Sequence, residues 1–305
     1  VSESAPVRES IQVVTADGWT LDMLHLPARG QALGAVLAGH AMMVDRRSLD
    51  RPHGEGLLSH LAAAGWHVFA PDLRGRGASG PAVSEGGCWS YDDLVRFDLP
   101  ACLAAVRERA AGLPVVVLGH SLSGHVSIAA AGSGAYETPP DAHVLLSANM
   151  WAPSMEPSPV RRFGKHFACW WLATMRALFG RFPSQLLRVG PVDEASDYIG
   201  DLVRFWREDR WASADGSSDY LRSMSRVEGP VLALIGRADR LLAHPESARL
   251  WTERLGPDLV EFRVLGRGDL GLEFDPDHMA LAADPRSRPV WQAITSWLAE
   301  CVAAR

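Results

Sequence analysis

The chain has 305 residues, 47% of them hydrophobic and 22% charged, a balance that supports a sizeable core and excludes an intrinsically disordered chain. A formal charge of −6 and a pI near 6.0 argue against nucleic acid, because binding a phosphate backbone calls for a clustered basic face. Lys165 is the single lysine among the 30 basic residues, which leaves almost no room for Schiff-base or P-loop lysine chemistry.

Cys88, Cys102, Cys169 and Cys301 are widely spaced and form no C-x-x-C, so neither a disulfide framework nor a structural zinc site is expected, and a reducing cytoplasm fits best. No run of about 18 apolar residues is present, so no membrane span is expected. The first 30 residues carry Glu3, Arg8, Glu9 and Asp17 where a signal peptide would be apolar, while the start at Val1 without Met leaves a processed leader open. The oligomeric state is also open, with a homodimer as one candidate.

In chain order, residues 11–15 (IQVVT) and 20–26 (TLDMLHL) are β-rich and flank Asp17-Gly18, which predicts an opening antiparallel hairpin. Short apolar runs follow at 35–38, 66–70, 115–118, 143–148, 231–235 and 259–265, read as fully buried parallel strands. Helical spacing recurs between them over 55–64 and 92–110, and again at the end over 287–304. This alternation predicts an α/β fold, a mostly parallel sheet with helices on both faces, formed by residues 1–150 and 229–305. Between Trp151 and Glu228 the alternation fails. Prolines at 153, 157, 159, 183 and 191 punctuate a Trp-, Phe- and Arg-rich stretch, so 151–228 reads as a mostly helical cap. Its Trp151, Trp170 and Trp171 are candidate substrate contacts together with Met42, and packing on the core is an equal alternative for the tryptophans.

The chemistry concentrates at 115–131, where the apolar run VVVL passes into Gly119-His120-Ser121-Leu122-Ser123-Gly124 and then into a helix-compatible stretch. A serine at such a junction is presented on a sharp strand-to-helix turn, and the helix N-terminus favours developing negative charge. Ser121 is therefore the candidate nucleophile, and the N–H of Leu122, next in the chain, is a candidate oxyanion donor. The motif departs from G-x-S-x-G at Ser123, a small residue with Gly124 behind it.

With these residues, the chain resembles the α/β-hydrolase superfamily of serine esterases and lipases with a helical cap. Gly39-His40-Ala41-Met42 is similar to the family's oxyanion loop, with Ala41 where glycine is usual, and Ala70-Pro71-Asp72-Leu73-Arg74-Gly75-Arg76-Gly77-Ala78-Ser79 is similar to its "PDxRGxGxS" segment. The resemblance spans about Val36 to His278. It implies Met42 N–H as a second oxyanion donor.

Nucleophile, acid and base follow one another in this fold, the acid just beyond a late strand. Asp239 follows the run at 231–235, and His278 lies in the loop before the last helix, where an imidazole suits both proton uptake and return. Asp269 is the alternative acid and His244 the runner-up base. His40 and His120 are expected to hydrogen-bond backbone near their own turns. His53-Gly54-Glu55-Gly56 does not follow a strand, and Gly75–Gly80 matches G-x-G-x-x-G but runs into Pro81, so neither is read as an anion cradle. No metal and no cofactor are expected, since no His, Asp or Glu group has convincing ligand spacing. Three activities fit: hydrolysis of an ester, thioester or amide of a small, partly apolar molecule through an acyl-enzyme on Ser121; acyl transfer by the same triad; or binding by a non-catalytic scaffold.

Overall fold

The computed structural model describes residues 8–256 and 258–303; Val1, Glu3 and position 304, the expected end of the last helix, lie outside these. The predicted hairpin is β1 (Glu9–Val14) against β2 (Thr20–Leu26), antiparallel, with Glu9 opposite His25 and Val14 opposite Thr20. Its turn closes through the Thr15 N–H to the Trp19 carbonyl at 2.8 Å, and Gly18 adopts a φ of 86° that a side chain would disfavour.

The core continues as β3 (Gly34–Gly39), α1 (Leu57–Ala63) and β4 (Trp66–Pro71). The expected helix over 92–110 is interrupted. It begins as α2 (Tyr91–Asp93), passes through a π-helical turn at Leu94–Asp98, and becomes α3 (Leu99–Ala110). Pro100 has no N–H to bond the carbonyl four residues back, and the ladder is widened just ahead of it, with the Leu99 N–H bonding the Leu94 carbonyl. Next come β5 (Val115–His120), α4 (Leu122–Ser133) and β6 (Ala142–Leu146).

The chain then leaves the sheet for α5 (Pro159–Phe179), the short strand β7 (Arg181–Phe182), α6 (Ser184–Leu187), β8 (Glu194–Ala195), α7 (Ser196–Glu208) and α8 (Tyr220–Ser223). It returns as β9 (Val231–Gly236), α9 (Pro245–Thr252), β10 (Val260–Leu265), α10 (Ala280–Ala283) and α11 (Arg288–Ala303). The eight-stranded sheet runs β1-β2-β4-β3-β5-β6-β9-β10, antiparallel at β1–β2 and β2–β4 and parallel from β4 onward. This is the expected α/β architecture. One strand differs from expectation: β10 is only half-buried, because it is the sheet edge and pairs with β9 alone.

Strand periodicity sorts the core into two layers. Leu37, Val115, Val117, Val231 and Ala233 pack with Leu103 and Val106 of α3 and Val126 of α4, while Val36, Ala38, Val116, Leu118, Leu232 and Leu234 pack with Leu61 of α1 and Trp291 and Ile294 of α11. Loop excursions after β3, β5, β6 and β9 therefore converge at one edge of the sheet, the carboxyl ends of its parallel strands.

Four histidines are sealed inside this core. Burial lowers His40 and His143 to about 4, and His120 and His125 to about 3. Unfolded, each titrates near its ordinary value of about 6.5. As pH falls through that value the unfolded chain takes up protons that the folded chain refuses, so stability is complete above about pH 6.5 and drains away by about 1.4 kcal/mol per unit for each ring, down to about pH 4 for His40 and His143 and about pH 3 for His120 and His125. Urea unfolding is expected to show a loss of several kcal/mol between neutral pH and about pH 5. His143, on β6, has no partner for either ring nitrogen among the described residues. His143→Leu is expected to reduce that loss by about 2 kcal/mol without lowering stability at neutral pH; an unchanged pH slope would exclude this origin.

Candidate active site

At the junction of β5 and α4, Ser121 has φ 49° and ψ −107°, a conformation strained for any residue with a side chain. Its N–H is held by the Leu146 carbonyl of β6 at 2.9 Å, and its carbonyl accepts from Gly124 N–H at 3.0 Å. The turn can be this tight because Gly119 lies directly on the Gly124 backbone. A Cβ on Gly124 would stand 2.6 Å from the Ala148 Cβ and 3.0 Å from the Gly119 carbonyl oxygen. The motif's departure at Ser123 also has a place: the space a Gly39 Cβ would need is filled by the Ser123 side chain, whose hydroxyl donates to the His40 carbonyl at 2.6 Å.

Ser121 Oγ lies 2.9 Å from His278 Nε2, and His278 Nδ1 lies 2.6 Å from Asp239 Oδ2. Asp239 is buried, and its other oxygen accepts the Ala243 N–H at 3.0 Å. Burial alone would raise this carboxyl, but the hydrogen bond and charge of His278, aided by backbone N–H groups at 243 and 241, hold it below the usual carboxylate value. A proton on Nδ1 would satisfy the Asp239 carboxylate and leave Nε2 to accept from the hydroxyl. The alternative acid is engaged elsewhere: Asp269 pairs with Arg237 at 2.7 Å and accepts the Gly266 N–H. His244 caps α9 through the Glu246 N–H.

His120 does not bond its own turn. Its Nε2 donates 2.9 Å to the carbonyl of His278, tying the two loops together, and burial keeps the ring neutral. His40 does bond locally, through Nδ1 to the Ala41 carbonyl at 2.7 Å, while its Nε2 accepts the Leu73 N–H at 3.2 Å.

The loop after β3 carries Met42, whose N–H has no acceptor among the described residues, and Met43 at φ 62°. The Met43 N–H donates to Glu194 Oε1 at 2.7 Å, and Glu194 pairs with Arg76 at 2.5 Å with both side chains fully buried. Arg76 also lies over the Trp89 and Tyr198 rings. Across the site, the N–H of Leu122 falls in the first turn of α4, where a helix supplies no carbonyl partner.

The family model described as serine aminopeptidase, S33, matches residues 54–267, more than half of the chain. The chain belongs to this hydrolase family. Among solved structures, this S33 chain is similar to a soluble variant of monoglyceride lipase from Saccharomyces cerevisiae, determined with a substrate analogue, with a TM-score of 0.71 and 16% identity over 99% of this chain and 97% of that one. It is also similar to the monoacylglycerol lipase of Paleococcus ferrophilus, with a TM-score of 0.60 and 17% identity over 92% and 99% of the two chains. At these identities the likeness is one of fold, that of an α/β-hydrolase. Triacylglycerol lipase 2 of Arabidopsis thaliana is 33% identical over 129 residues, 37% of this chain and 31% of that protein, so the chain spans about a third of the plant lipase's length.

The three tryptophans singled out in this S33 sequence have different surroundings. Trp151 is half-buried, donates from Nε1 to the Leu242 carbonyl at 2.8 Å and carries Lys165 over its ring. Trp171 meets Phe182 edge-on at 5.1 Å, and Trp170 is exposed beside Phe167. Two buried polar groups carried no sequence signal. Glu194 is separated by 118 residues from the arginine it pairs with. Asn149, just past β6, is a buried amide whose nitrogen and oxygen both lack a partner among the described residues. The Gly75–Gly80 loop is closed on itself, Gly75 N–H to the Ser79 carbonyl at 2.7 Å, with Ala78 N–H on Asp72 at 3.0 Å, and leads into a three-residue 3₁₀ turn instead of a long helix.

Because Ser123 fills the space beside Gly39, Gly39→Ala is expected to cost about 1–3 kcal/mol in urea unfolding, and adding Ser123→Gly should recover much of it. Strictly additive losses would refute that packing.

Proposed function

We propose that this hydrolase cleaves a carboxylic ester through an acyl-enzyme on Ser121, with His278 as general base and acid and Asp239 as the carboxylate that orients it. The carrying observation is the continuous hydrogen-bonded chain Ser121–His278–Asp239 at a strand-to-helix turn. The Ser121 hydroxyl adds to the ester carbonyl as its proton passes to His278 Nε2. The tetrahedral oxygen takes its charge against the N–H groups of Leu122 and Met42. Collapse breaks the bond to the alcohol, which leaves with the proton from Nε2. Water, deprotonated by the same imidazole, then releases the carboxylic acid and restores Ser121. The chain's own residues fill every role in this cycle.

An ester fits better than a peptide N-terminus, although the family's description refers to an aminopeptidase. A free α-amino group needs an uncommitted carboxylate, and the buried carboxylates of the insertion are occupied: Glu194 by Arg76, Glu156 by Lys165 and Arg161, and Asp201 by Arg204 and the Tyr91 N–H. The segment over 151–228 acts in this reading as a cap over a small, partly apolar substrate. Lipases recur among the similar proteins, consistent with an acyl substrate.

Ser121→Ala is expected to abolish covalent labelling by a fluorophosphonate and turnover of short aryl esters, and Asp239→Asn to cut kcat by roughly 10³–10⁴-fold with KM little changed. Labelling that persists in Ser121→Ala would remove the proposed nucleophile. Turnover of an aminoacyl anilide in preference to the aryl ester would reverse the substrate assignment.

Glu194 is a positioning residue in this scheme, since it holds the Met43 N–H next to the proposed donor Met42. Glu194→Gln is expected to lower kcat about tenfold, a fraction of what losing a whole oxyanion donor costs, with KM within about twofold. A drop in melting temperature with kcat unchanged would leave Glu194 a purely structural role.

A further inference from the structure

In a chain whose other strong bases are all arginine, the single lysine lies deep inside the protein. Lys165, on α5, is only 1% exposed. Its ammonium lies 2.8 Å from Glu156 Oε2 and 5.3 Å from the centre of the Trp151 ring. Glu156 is itself fully buried, and it also accepts the Arg161 Nε–H and the hydroxyl of Ser247 in α9, each at 2.8 Å. A buried ion pair adds little net stability once desolvation is counted, whereas removing one partner strands the other charge. What such a pair contributes is the fixed position of whatever it touches.

Here it touches the loop of the proposed triad acid. The Asp239 carboxylate is bonded by the backbone N–H groups of Leu241 and Ala243, the latter at 3.0 Å. The same short stretch meets the insertion. The Leu242 carbonyl accepts the Trp151 Nε1–H at 2.8 Å, and a Cβ on Gly164, the neighbour of Lys165 in α5, would stand 3.5 Å from Leu241 Cδ1. Just beyond, His244 caps α9 and lies 3.3 Å from Arg161 Nη1. The loop over 241–244 therefore has Asp239 on one side and the residues around Lys165 on the other. Burial draws the Lys165 amine below its ordinary value, opposed by the hydrogen bond and charge of Glu156 and by the charge of Asp239, so lysine and acid also act on each other through space.

We propose that Lys165 is a positioning residue for Asp239, fixing Glu156, Trp151 and through them the loop over 241–244 so that the carboxylate stays at His278. The proposal rests on Ser121, His278 and Asp239 being the reacting triad. Its test is the rate at which a fluorophosphonate labels Ser121 in the full chain, a readout that does not depend on knowing the natural ester. Lys165→Met is expected to slow labelling about tenfold in the wild-type background but less than about twofold in the Asp239→Asn background, because a residue that acts through the acid has nothing to position once the carboxylate is gone. Trp151→Phe, which removes the N–H held by Leu242, should slow labelling about threefold in the wild type and again have no effect on top of Asp239→Asn. If a melting curve shows that Lys165→Met does not fold, Trp151→Phe and the charge-free pair Lys165→Met with Glu156→Gln carry the same comparison. Equal slowing in both backgrounds gives Lys165 a purely structural role and overturns the proposal. Labelling that needs Ser121 yet runs at the wild-type rate in the folded variants overturns it while leaving the triad intact. If the wild type is not labelled, or Ser121→Ala is labelled as fast, the triad reading falls and the positioning role with it.

Discussion

A serine at φ 49° and ψ −107° stays there only while its surroundings forbid relaxation, and the described site depends on how firmly β5 and α4 are pressed together around it. Gly119 against Gly124, Gly124 against Ala148, and Gly39 under Ser123 leave no volume for the turn to unwind. The Leu146 carbonyl fixes the serine's own N–H. Strain of this kind, of order 1–3 kcal/mol, is small beside the apolar burial of the strands on either side. The same contacts aim the hydroxyl at His278 and set the first N–H of α4 beside it, so one local constraint supplies the geometry of both the proposed attack and the proposed charge stabilisation.

Loops that contribute to a site from distant parts of a chain need anchors, and here buried polar groups provide them. His120 holds the loop of His278 by its carbonyl, His40 bridges the loop after β3 to that after β4, and Ser123 bonds the His40 carbonyl from α4. Each is a neutral donor or acceptor in a dry setting, where a hydrogen bond is strong and its loss leaves an unsatisfied group. Neutrality matters for the histidines, because a second charged imidazole beside His278 would oppose the imidazolium that the proposed mechanism forms there. Sealing these rings inside the core makes the fold sensitive to acid.

The buried Arg76–Glu194 pair extends this scheme into the insertion. An ion pair in the interior contributes little net stability once desolvation is counted, yet it fixes geometry, since neither partner can leave without stranding the other. By accepting the Met43 N–H, Glu194 makes the loop after β3 and the strand β8 one mechanical unit. On the proposed reading, Lys165 fastens the same insertion to the acid side of the site.

The sequence alone determined the α/β architecture and the hairpin at its start, because alternating apolar periods and turn residues are local signals carried by neighbouring positions. It also singled out Ser121, Asp239 and His278, since their chemistry is tied to strand ends that can be found by pattern. Only the tertiary structure decided which carboxylate stands at His278, because Asp239 and Asp269 both follow strands and differ only in where their loops fold. It also revealed the π-helical turn before Pro100, the half-exposed edge strand β10, the buried partnership of Arg76 with Glu194 and the exposure of Trp170. Each depends on what lies across space from a residue, and a one-dimensional pattern carries no record of partners more than a hundred positions away.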